Sequence, residues 1–237
     1  MKTKKLLFLS LSSLPFALFA QEDIDYRIFM NSTYGYSAIF RGELPAGYGG
    51  MMPTDMSTYY AYSESYERGN VCFRGKLYQG IFLNLNAHID ELCAMESSPG
   101  IAIILNKNLV DSFSLGGVNR RQFVHYKQER NSVLSSGYYE VLYSGQLKLY
   151  KKIRKHYSER ISTIMESVNP IQRGFTLSES FYIWKDDSWT RIATKSDLKR
   201  VFREQMRTLD NLLKSKKINL KKNMEIALLE IVTNIDT

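Results

Sequence analysis

The stretch "YYEVLYSGQLKLYKK", residues 138–152, alternates apolar and polar side chains, turns at Ser144–Gly145 and alternates again. Because successive side chains of a β-strand point to opposite faces, this pattern is typical of two strands joined by a tight turn. The residues predicted to share a face are Tyr139, Val141 and Tyr143 in the first strand, and Leu147, Leu149 and Ile153 in the second. The stretch therefore predicts an antiparallel hairpin.

Similar strand–turn–strand patterns occur on both sides of this hairpin. They are "VCF-RG-KLY" at 71–78, "IAIIL-NKN-LVDSFSL" at 101–115, and "SFYIW" with "WTRIA" around the turn 185–188. Short strands at this spacing favour an antiparallel meander of successive hairpins over units that alternate strand and helix. We therefore predict a mainly β (α+β) protein with a sheet over residues 68–193.

The period changes to a helical one near the C-terminus. Thr194 or Ser196 can cap a helix, and Asn223 can cap a last one. Apolar residues recur at roughly helical spacing between the two caps, namely Leu198, Val201, Phe202, Leu209, Leu212 and Leu213. Residues 194–237 are predicted to form basic helices packed beside the sheet. The stretch "RKHYSERISTIMESVN", residues 154–169, is predicted to be a further helix that ends before Pro170.

The first 20 residues have the layout of a secretory signal peptide. Lys2, Lys4 and Lys5 precede an apolar run from Leu6 to Phe19, and Ala20 precedes a polar sequence. A run of about 14 residues is shorter than the roughly 20 that span a bilayer, which favours a cleaved signal over a membrane anchor. We expect cleavage after Ala20 and export to the periplasm or an outer-membrane-associated location.

Residues 21–67 follow the predicted signal and contain a segment rich in Tyr, Gly, Ser and Met. Gly47, Gly49, Gly50 and Pro53 interrupt any long periodicity there. We interpret residues 21–67 as a partly mobile segment that leads into the sheet. The alternative is a recognition loop lined by aromatic side chains, for sugars or peptides.

Cys72 and Cys93 both lie in the predicted mature chain. An even pair of cysteines in an exported protein is compatible with a disulfide, which would close a loop of about 20 residues and stabilise the fold by about 3 kcal/mol. The alternative is two buried free thiols. Their spacing excludes a CxxC metal or redox motif.

Positive charge is concentrated in one region, because residues 146–223 contain 19 Lys and Arg against 8 Asp and Glu. The candidate polyanion-binding residues are Lys148, Lys151, Lys152, Arg154, Lys155 and Arg160. Such clusters bind nucleic-acid phosphates, but the predicted export argues against nucleic acid as the ligand. Anionic lipids and acidic glycans are the partners expected outside the cytoplasm, with envelope proteins as a further class. The alternative is a solvated strand edge whose lysines prevent aggregation.

Catalytic motifs are absent from the sequence, which contains no HExxH, GxSxG, Walker A or GxGxxG pattern. The strongest remaining group is His88, Asp90 and Glu91, which could line a hydrolase cleft or hold a metal through two ligands. Neighbouring polar residues of this kind more often form a solvated turn. We therefore predict no catalytic residue, no cofactor and no metal site, and a non-enzymatic binding or structural module.

The stretches "GYYEVLYSGQLKLYKKIRKHY" and "SFYIWKDDSWTRIATKSDLKRVF" together resemble exported, uncharacterised proteins of Gram-negative bacterial envelopes. In those proteins a tyrosine-rich strand, a turn, a basic strand and a "K-x-D-L-x-x-x-F"-like helix recur near the C-terminus. The resemblance covers roughly residues 68–215. It implies an envelope location and provides no catalytic residues.

Overall fold

The computed structural model describes residues 39–45, 47–51, 53–55, 57–96, 99–116, 120–130, 132–161 and 171–236. The predicted signal peptide, residues 1–20, lies outside the described residues. The chain divides into two compact units, Met1–Arg41 and Gly42–Thr237. The architecture that follows is that of the second unit.

Among the described residues, ten strands form one antiparallel sheet in the order β10-β9-β8-β7-β6-β5-β1-β2-β3-β4. Their bounds are β1 Glu67–Phe73, β2 Lys76–Asn86, β3 Glu91–Met95, β4 Ala102–Ile104, β5 Val110–Leu115, β6 Arg121–Tyr126, β7 Gly137–Ser144, β8 Lys148–Ile161, β9 Ile171–Lys185 and β10 Ser188–Ile192. Short 3-10 turns occupy Gly49–Met51 and Lys107–Leu109. The predicted mainly β class, with an antiparallel meander, is confirmed.

Two tight turns set the register of their hairpins as the sequence predicted. Arg74 and Gly75 join β1 to β2 with φ of 53° and 72°, and Asp186 and Asp187 join β9 to β10 with φ of 49° and 56°. Two-residue turns with positive φ match the right-handed twist of the strands that they connect. Glycine and aspartate adopt this conformation at low cost, which explains their presence in the two turns.

The predicted pairing is wrong at 101–115, and one predicted shared face is wrong in β7. Strand β4 pairs with β3, whereas β5 lies between β1 and β6. In β7 a bulge between Val141 and Tyr143 shifts the register, so that Tyr143 opposes Leu149 while Val141 opposes Tyr150. Since a shift of one residue moves a side chain to the other face, Tyr143 does not share a face with Tyr139 and Val141.

The predicted helix over 154–169 is wrong for its first half, because residues 154–161 are the end of β8. Strand β8 pairs with β9 along its whole length, from Lys148 opposite Trp184 to Ile161 opposite Ile171. This continuous ladder satisfies the backbone hydrogen bonds that a helix would otherwise make locally. Residues 162–169 lie outside the described residues.

Of the two alternatives for Cys72 and Cys93, the structure shows free thiols and no disulfide between them. Cys72 lies in β1 and Cys93 in β3, and β2 runs between them. Two strand spacings are about 10 Å, and a disulfide requires Cα atoms within about 7 Å. The Cys72 thiol instead lies 3.7 Å from an Asp111 carboxylate oxygen, and burial raises the pKa of Cys93 to about 11.

Three C-terminal helices, α1 Lys195–Val201, α2 Met206–Ser215 and α3 Met224–Ile235, cover one face of the sheet. Thr194 and Asp197 form a reciprocal capping box at α1, and Asn223 caps α3. Buried side chains of sheet and helices form one core here, among them Leu149, Phe181, Ile183, Leu198, Phe202, Leu209, Leu228 and Ile231. No helix of the described residues has the length and apolar character needed to cross a bilayer.

The last helix is tied to the hairpin 138–152. Asp236 accepts hydrogen bonds from the Leu147 backbone N–H at 2.7 Å and from the Tyr143 hydroxyl at 2.8 Å. A Cβ at Gly145 would lie only 2.0 Å from an Asp236 carboxylate oxygen, so a larger residue there would displace the Asp236 side chain from this position.

The sheet curls, because the β2–β3 turn touches β8 across four intervening strands. The Lys155 N–H donates to the Ala87 carbonyl at 3.1 Å. Lys155 lies in the part of β8 that extends past the first residue of β7. On a flat sheet β2 and β8 would be about 24 Å apart. Part of the segment predicted to be mobile also lies against the sheet: Ala61 bonds to Leu85 of β2, and Thr54 bonds to Arg173 of β9.

Candidate ligand-binding face of the sheet

Strand β8 divides the six predicted polyanion-binding residues between the two faces of the sheet. We call the side covered by α1–α3 the helix face, and the opposite side of β6–β10 the aromatic face. By strand register Lys151 and Lys155 belong to the helix face. The other four residues, Lys148, Lys152, Arg154 and Arg160, belong to the aromatic face. The alternation of a strand therefore splits what is one cluster in the sequence.

The aromatic face is named for a layer of rings contributed by all five of these strands. Its members are Tyr126 of β6, Tyr139 of β7, Tyr150 of β8, Tyr182 and Trp184 of β9, and Trp189 of β10. Ring centroids lie 4.5 Å apart between Tyr150 and Trp189, and 5.3 Å apart between Trp184 and Trp189. These distances are those of favourable aromatic pairs.

The rings lean across the strands towards one another. Tyr126 and Trp189 have three strands between them, about 19 Å on a flat sheet, yet their ring centroids are 6.4 Å apart. Tyr139 is fully buried beneath the loop before β7, whose Ser135 carbonyl accepts a hydrogen bond from its hydroxyl. The other five rings remain half-buried, so the layer presents a ring surface to solvent.

Charge is distributed unequally between the two faces. On the aromatic face, β8, β9 and β10 contribute Lys148, Lys152, Arg154, Arg160 and Arg191. By the same register, Glu159 and Glu179 lie on the helix face, and the described residues of these strands place no carboxylate on the aromatic face. The Lys148 ammonium lies 5.8 Å from the Trp184 ring centroid, and Arg154 and Arg191 are exposed. Lys152 is buried and paired with Asp90, so the positive charge beside the rings comes mainly from Lys148, Arg154 and Arg191.

Arg160 lies at the far end of the aromatic face, where β8 and β9 extend beyond their neighbours. Together with Arg173, Asp55 and Thr54 it lines a cavity of ≈ 450 Å³. The Thr54 hydroxyl donates to the Arg173 carbonyl at 3.2 Å and accepts from the Arg173 N–H at 2.9 Å. Asp55 gives this cavity mixed charge.

Lys151 lies in a buried ion cluster on the helix face. Its ammonium lies 2.7 Å from carboxylate oxygens of Glu140 and Glu225 and 3.6 Å from one of Glu179. Arg121 contacts the other Glu140 oxygen at 3.2 Å, and the Tyr62 hydroxyl donates to Glu140. Burial opposes the charge of Lys151, but its carboxylate partners outweigh burial and raise its pKa. A side chain that is 2% exposed cannot meet a polyanion at the surface.

Lys152 is also buried and is paired with Asp90. Its ammonium donates to an Asp90 oxygen at 2.6 Å and to the Tyr138 carbonyl at 2.9 Å, and burial lowers its pKa. A Cβ at Gly137 would overlap both groups, since it would lie 2.2 Å from Asp90 and 2.6 Å from Lys152. The close fit identifies a structural ion pair.

The candidate hydrolase residues do not form a common cleft. His88 Nδ1 lies 2.9 Å from the Lys155 carbonyl, whereas Asp90 is engaged by Lys152 and by Lys107 at 3.1 Å. Glu91 begins β3, where it pairs with Asn86. Within the described part of the chain, no group of three metal-ligating side chains occurs. Asp90 therefore connects three elements of the fold and is not positioned as a general acid or base.

His125 is a half-buried titratable residue on the helix face. Its Nδ1–H donates to the Val110 carbonyl at 3.1 Å, and Nε2 is buried without a partner among the described residues. Burial lowers the pKa of His125, and the positive charges of Lys107 and Lys127 act in the same direction, whereas the Val110 bond and Asp90 oppose them. The folded protein therefore disfavours protonation of this imidazole.

We expect His125 to make the protein less stable in mild acid. Below a pH of about 6.5 the unfolded chain binds a proton at this residue before the folded chain does, so the free energy of unfolding falls as the pH falls. Urea unfolding at about pH 7 and about pH 5.5 should show a smaller difference for His125→Gln than for the unmodified chain. The exposed His156, replaced in the same way, is the control. An equal pH dependence in all three proteins would contradict the expectation.

The aromatic face was missed at the sequence level, although both of its tryptophans had been placed in strands. Trp184 and Trp189 are five positions apart around a two-residue turn, a spacing that pairs them directly. The missing information was the β8–β9 register, which sets Tyr150 opposite Tyr182 and Lys148 opposite Trp184. Comparison with models of protein families, with curated proteins and with solved structures returned no match.

Proposed function

We propose that this chain is an exported, non-catalytic binding module that holds an acidic glycan on its aromatic face. The observation that carries the proposal is the layer of five half-buried rings beside cationic side chains, on strands that place no described carboxylate there. Export is inferred from the signal-like residues 1–20, and an envelope offers acidic glycans as ligands.

The rings would bind the sugar and the cations would select its charge. An aromatic face carries partial negative charge and attracts the weakly positive C–H groups of a sugar ring packed against it. Tryptophan and tyrosine provide a large contact area and lose little conformational freedom on binding. Lys148, Arg154 and Arg191 would then interact with carboxylates along the saccharide, which favours an acidic chain over a neutral one.

Single-stranded nucleic acid is the alternative ligand closest in chemistry to an acidic glycan, because it is also bound by stacked rings and cations. The predicted export favours the glycan. A binding comparison must therefore include an oligogalacturonate, a neutral cello-oligosaccharide and a single-stranded oligonucleotide. Tighter binding of the oligonucleotide, or equal binding of the neutral sugar, would overturn the proposal.

Trp189→Ala is expected to weaken binding of the oligogalacturonate by about 30-fold, the factor that corresponds to roughly 2 kcal/mol for an aromatic hot spot. Trp189 is chosen because it contacts three rings of the layer, those of Tyr126, Tyr150 and Trp184. Isothermal titration calorimetry measures the effect. The matched control is Phe82→Ala, which removes a half-buried ring of β2 that lies under Arg68.

Lys148→Glu with Arg191→Glu separates the charge contribution from stacking. This double variant should weaken binding at low salt and converge on the unmodified protein as salt rises, because exposed charges are screened. Trp189→Ala should remain weak at every salt concentration. Two results would exclude the aromatic face as the site. One is a Trp189→Ala protein that binds within about threefold of the unmodified chain, and the other is a Phe82→Ala protein that loses as much affinity as Trp189→Ala.

A further inference from the structure

The loop between α2 and α3 is a second cationic surface, separate from the aromatic face. Residues 214–223, "KSKKINLKKN", run from the last turn of α2 to the N-cap of α3 and contain five lysines and no acidic residue. All five of these lysines, Lys214, Lys216, Lys217, Lys221 and Lys222, are exposed. Because they belong to one short connection, their charges act on the same region of solvent.

Apolar side chains adjoin these lysines and also face solvent. Ile226, in the first turn of α3, is 64% exposed, and Leu229, three residues later, is 38% exposed. The inward side of the helix is formed by Ala227, Leu228, Ile231 and Val232, which are all buried. Ile226 also lines a cavity of ≈ 610 Å³ together with Lys216, Lys217 and Lys222. The surface therefore combines cations with an exposed apolar strip.

The two carboxylates of α3 do little to neutralise this surface. Glu225 is directed into the buried cluster, where it contacts Lys151 at 2.7 Å. Glu230 accepts a hydrogen bond from the Lys216 ammonium, so that it pairs with one of the five lysines. Among the salt bridges of the described residues, none involves the other four lysines, Lys214, Lys217, Lys221 and Lys222.

We propose that the α2–α3 loop docks on an anionic lipid membrane. The negative surface potential of acidic phospholipids attracts lysines, and each lysine near the membrane surface strengthens binding about fivefold. Exposed isoleucine and leucine can enter the boundary between headgroups and acyl chains, which a soluble polyanion does not offer. This combination favours a membrane over a free anion. The inference stands independently of the glycan on the aromatic face.

Co-sedimentation with phosphatidylcholine vesicles, prepared with and without phosphatidylglycerol, tests the proposal. Replacing Lys217, Lys221 and Lys222 by Glu should weaken binding to the anionic vesicles by at least about 100-fold, since three attractive charges of about fivefold each are lost. The control replaces Lys195, Lys199 and Arg203 by Glu, which makes the same change of net charge near α1. All variants keep the same N-terminal residues, so a difference between the loop variant and the unmodified chain arises from the loop.

Each outcome of this experiment decides the proposal. Binding that needs phosphatidylglycerol, is lost in the loop variant and stays within about threefold in the α1 control supports it. Equal losses in the two variants, equal binding to both kinds of vesicle, or no binding at low salt would overturn it. Ile226→Ser with Leu229→Ser adds a second criterion: it should reduce the binding that remains at high salt, where screening has weakened the lysines.

Discussion

Replacing Lys151 by alanine is expected to lower the free energy of unfolding by about 3–5 kcal/mol, the cost of removing one partner from a buried ion pair. The ammonium is shared by Glu140, Glu179 and Glu225, and the Glu140 side chain is only 4% exposed. Without Lys151 this carboxylate would remain in the core with Arg121 and Tyr62 as its partners. A loss of this size approaches the whole stability of many domains.

Urea unfolding measures the effect, and two further variants interpret it. Arg154→Ala, on the same strand but exposed on the aromatic face, should cost less than about 1 kcal/mol. Lys151→Met combined with Glu140→Gln removes both charges and should recover at least half of the loss, because neither charge is then left uncompensated. A Lys151→Ala cost no larger than that of Arg154→Ala would show that the cluster does not stabilise the fold.

Replacing Asp90 by asparagine is expected to cost about 3 kcal/mol, because the buried Lys152 ammonium loses its charged partner. The change preserves the shape of the side chain and suits the backbone, since asparagine tolerates the positive φ of 59° at this position. Asp186→Asn is the matched control. Asp186 has a φ of 49° and an 80% exposed side chain, so its replacement should cost less than about 0.5 kcal/mol.

The cost of Asp90→Asn should depend on pH. Burial already lowers the pKa of Lys152 below its ordinary value of 10.5, and loss of Asp90 lowers it further. As the pH rises towards 10.5, the folded variant releases this proton before the unfolded chain does, so the variant regains stability relative to the unmodified protein. A deficit that stays constant between about pH 7 and pH 10 would contradict this account.

The same experiment distinguishes a structural Asp90 from a catalytic one. Catalytic carboxylates are often held in unfavourable surroundings, so their replacement commonly leaves stability unchanged or increases it. A large loss of stability in Asp90→Asn, together with recovery in the double variant with Lys152→Met, is the result expected of a structural ion pair. An Asp90→Asn protein more stable than the unmodified chain would return the hydrolase alternative to consideration.

Local patterns were sufficient to predict the hairpins closed by Arg74–Gly75 and Asp186–Asp187, because turn chemistry and alternation lie within a few residues. They were also sufficient for the C-terminal helices, whose caps at Thr194 and Asn223 are local signals. The pairing of β5 with β1 and β6 depends on contacts between distant segments, which periodicity does not report. The bulge in β7 likewise depends on its partner strand.

The errors around β8 share a physical cause. Residues 154–161 contain charged and aromatic side chains that suit either helix or strand, and pairing with β9 decides between them. The basic residues 148–160 were treated as one cluster because they are adjacent in sequence. Strand alternation instead sends Lys151 into the core and leaves Arg154 exposed. Charge alone could not show which lysines are available to a ligand.

The most direct test of the proposed glycan-binding face uses its own fluorescence. The chain has two tryptophans, Trp184 and Trp189, and both lie on the aromatic face. Titration with an oligogalacturonate should produce a saturable shift in tryptophan emission that weakens as salt rises, and a neutral cello-oligosaccharide should produce a much smaller one. An emission spectrum unchanged at saturating oligogalacturonate, or a response equal for the two sugars, would contradict the account.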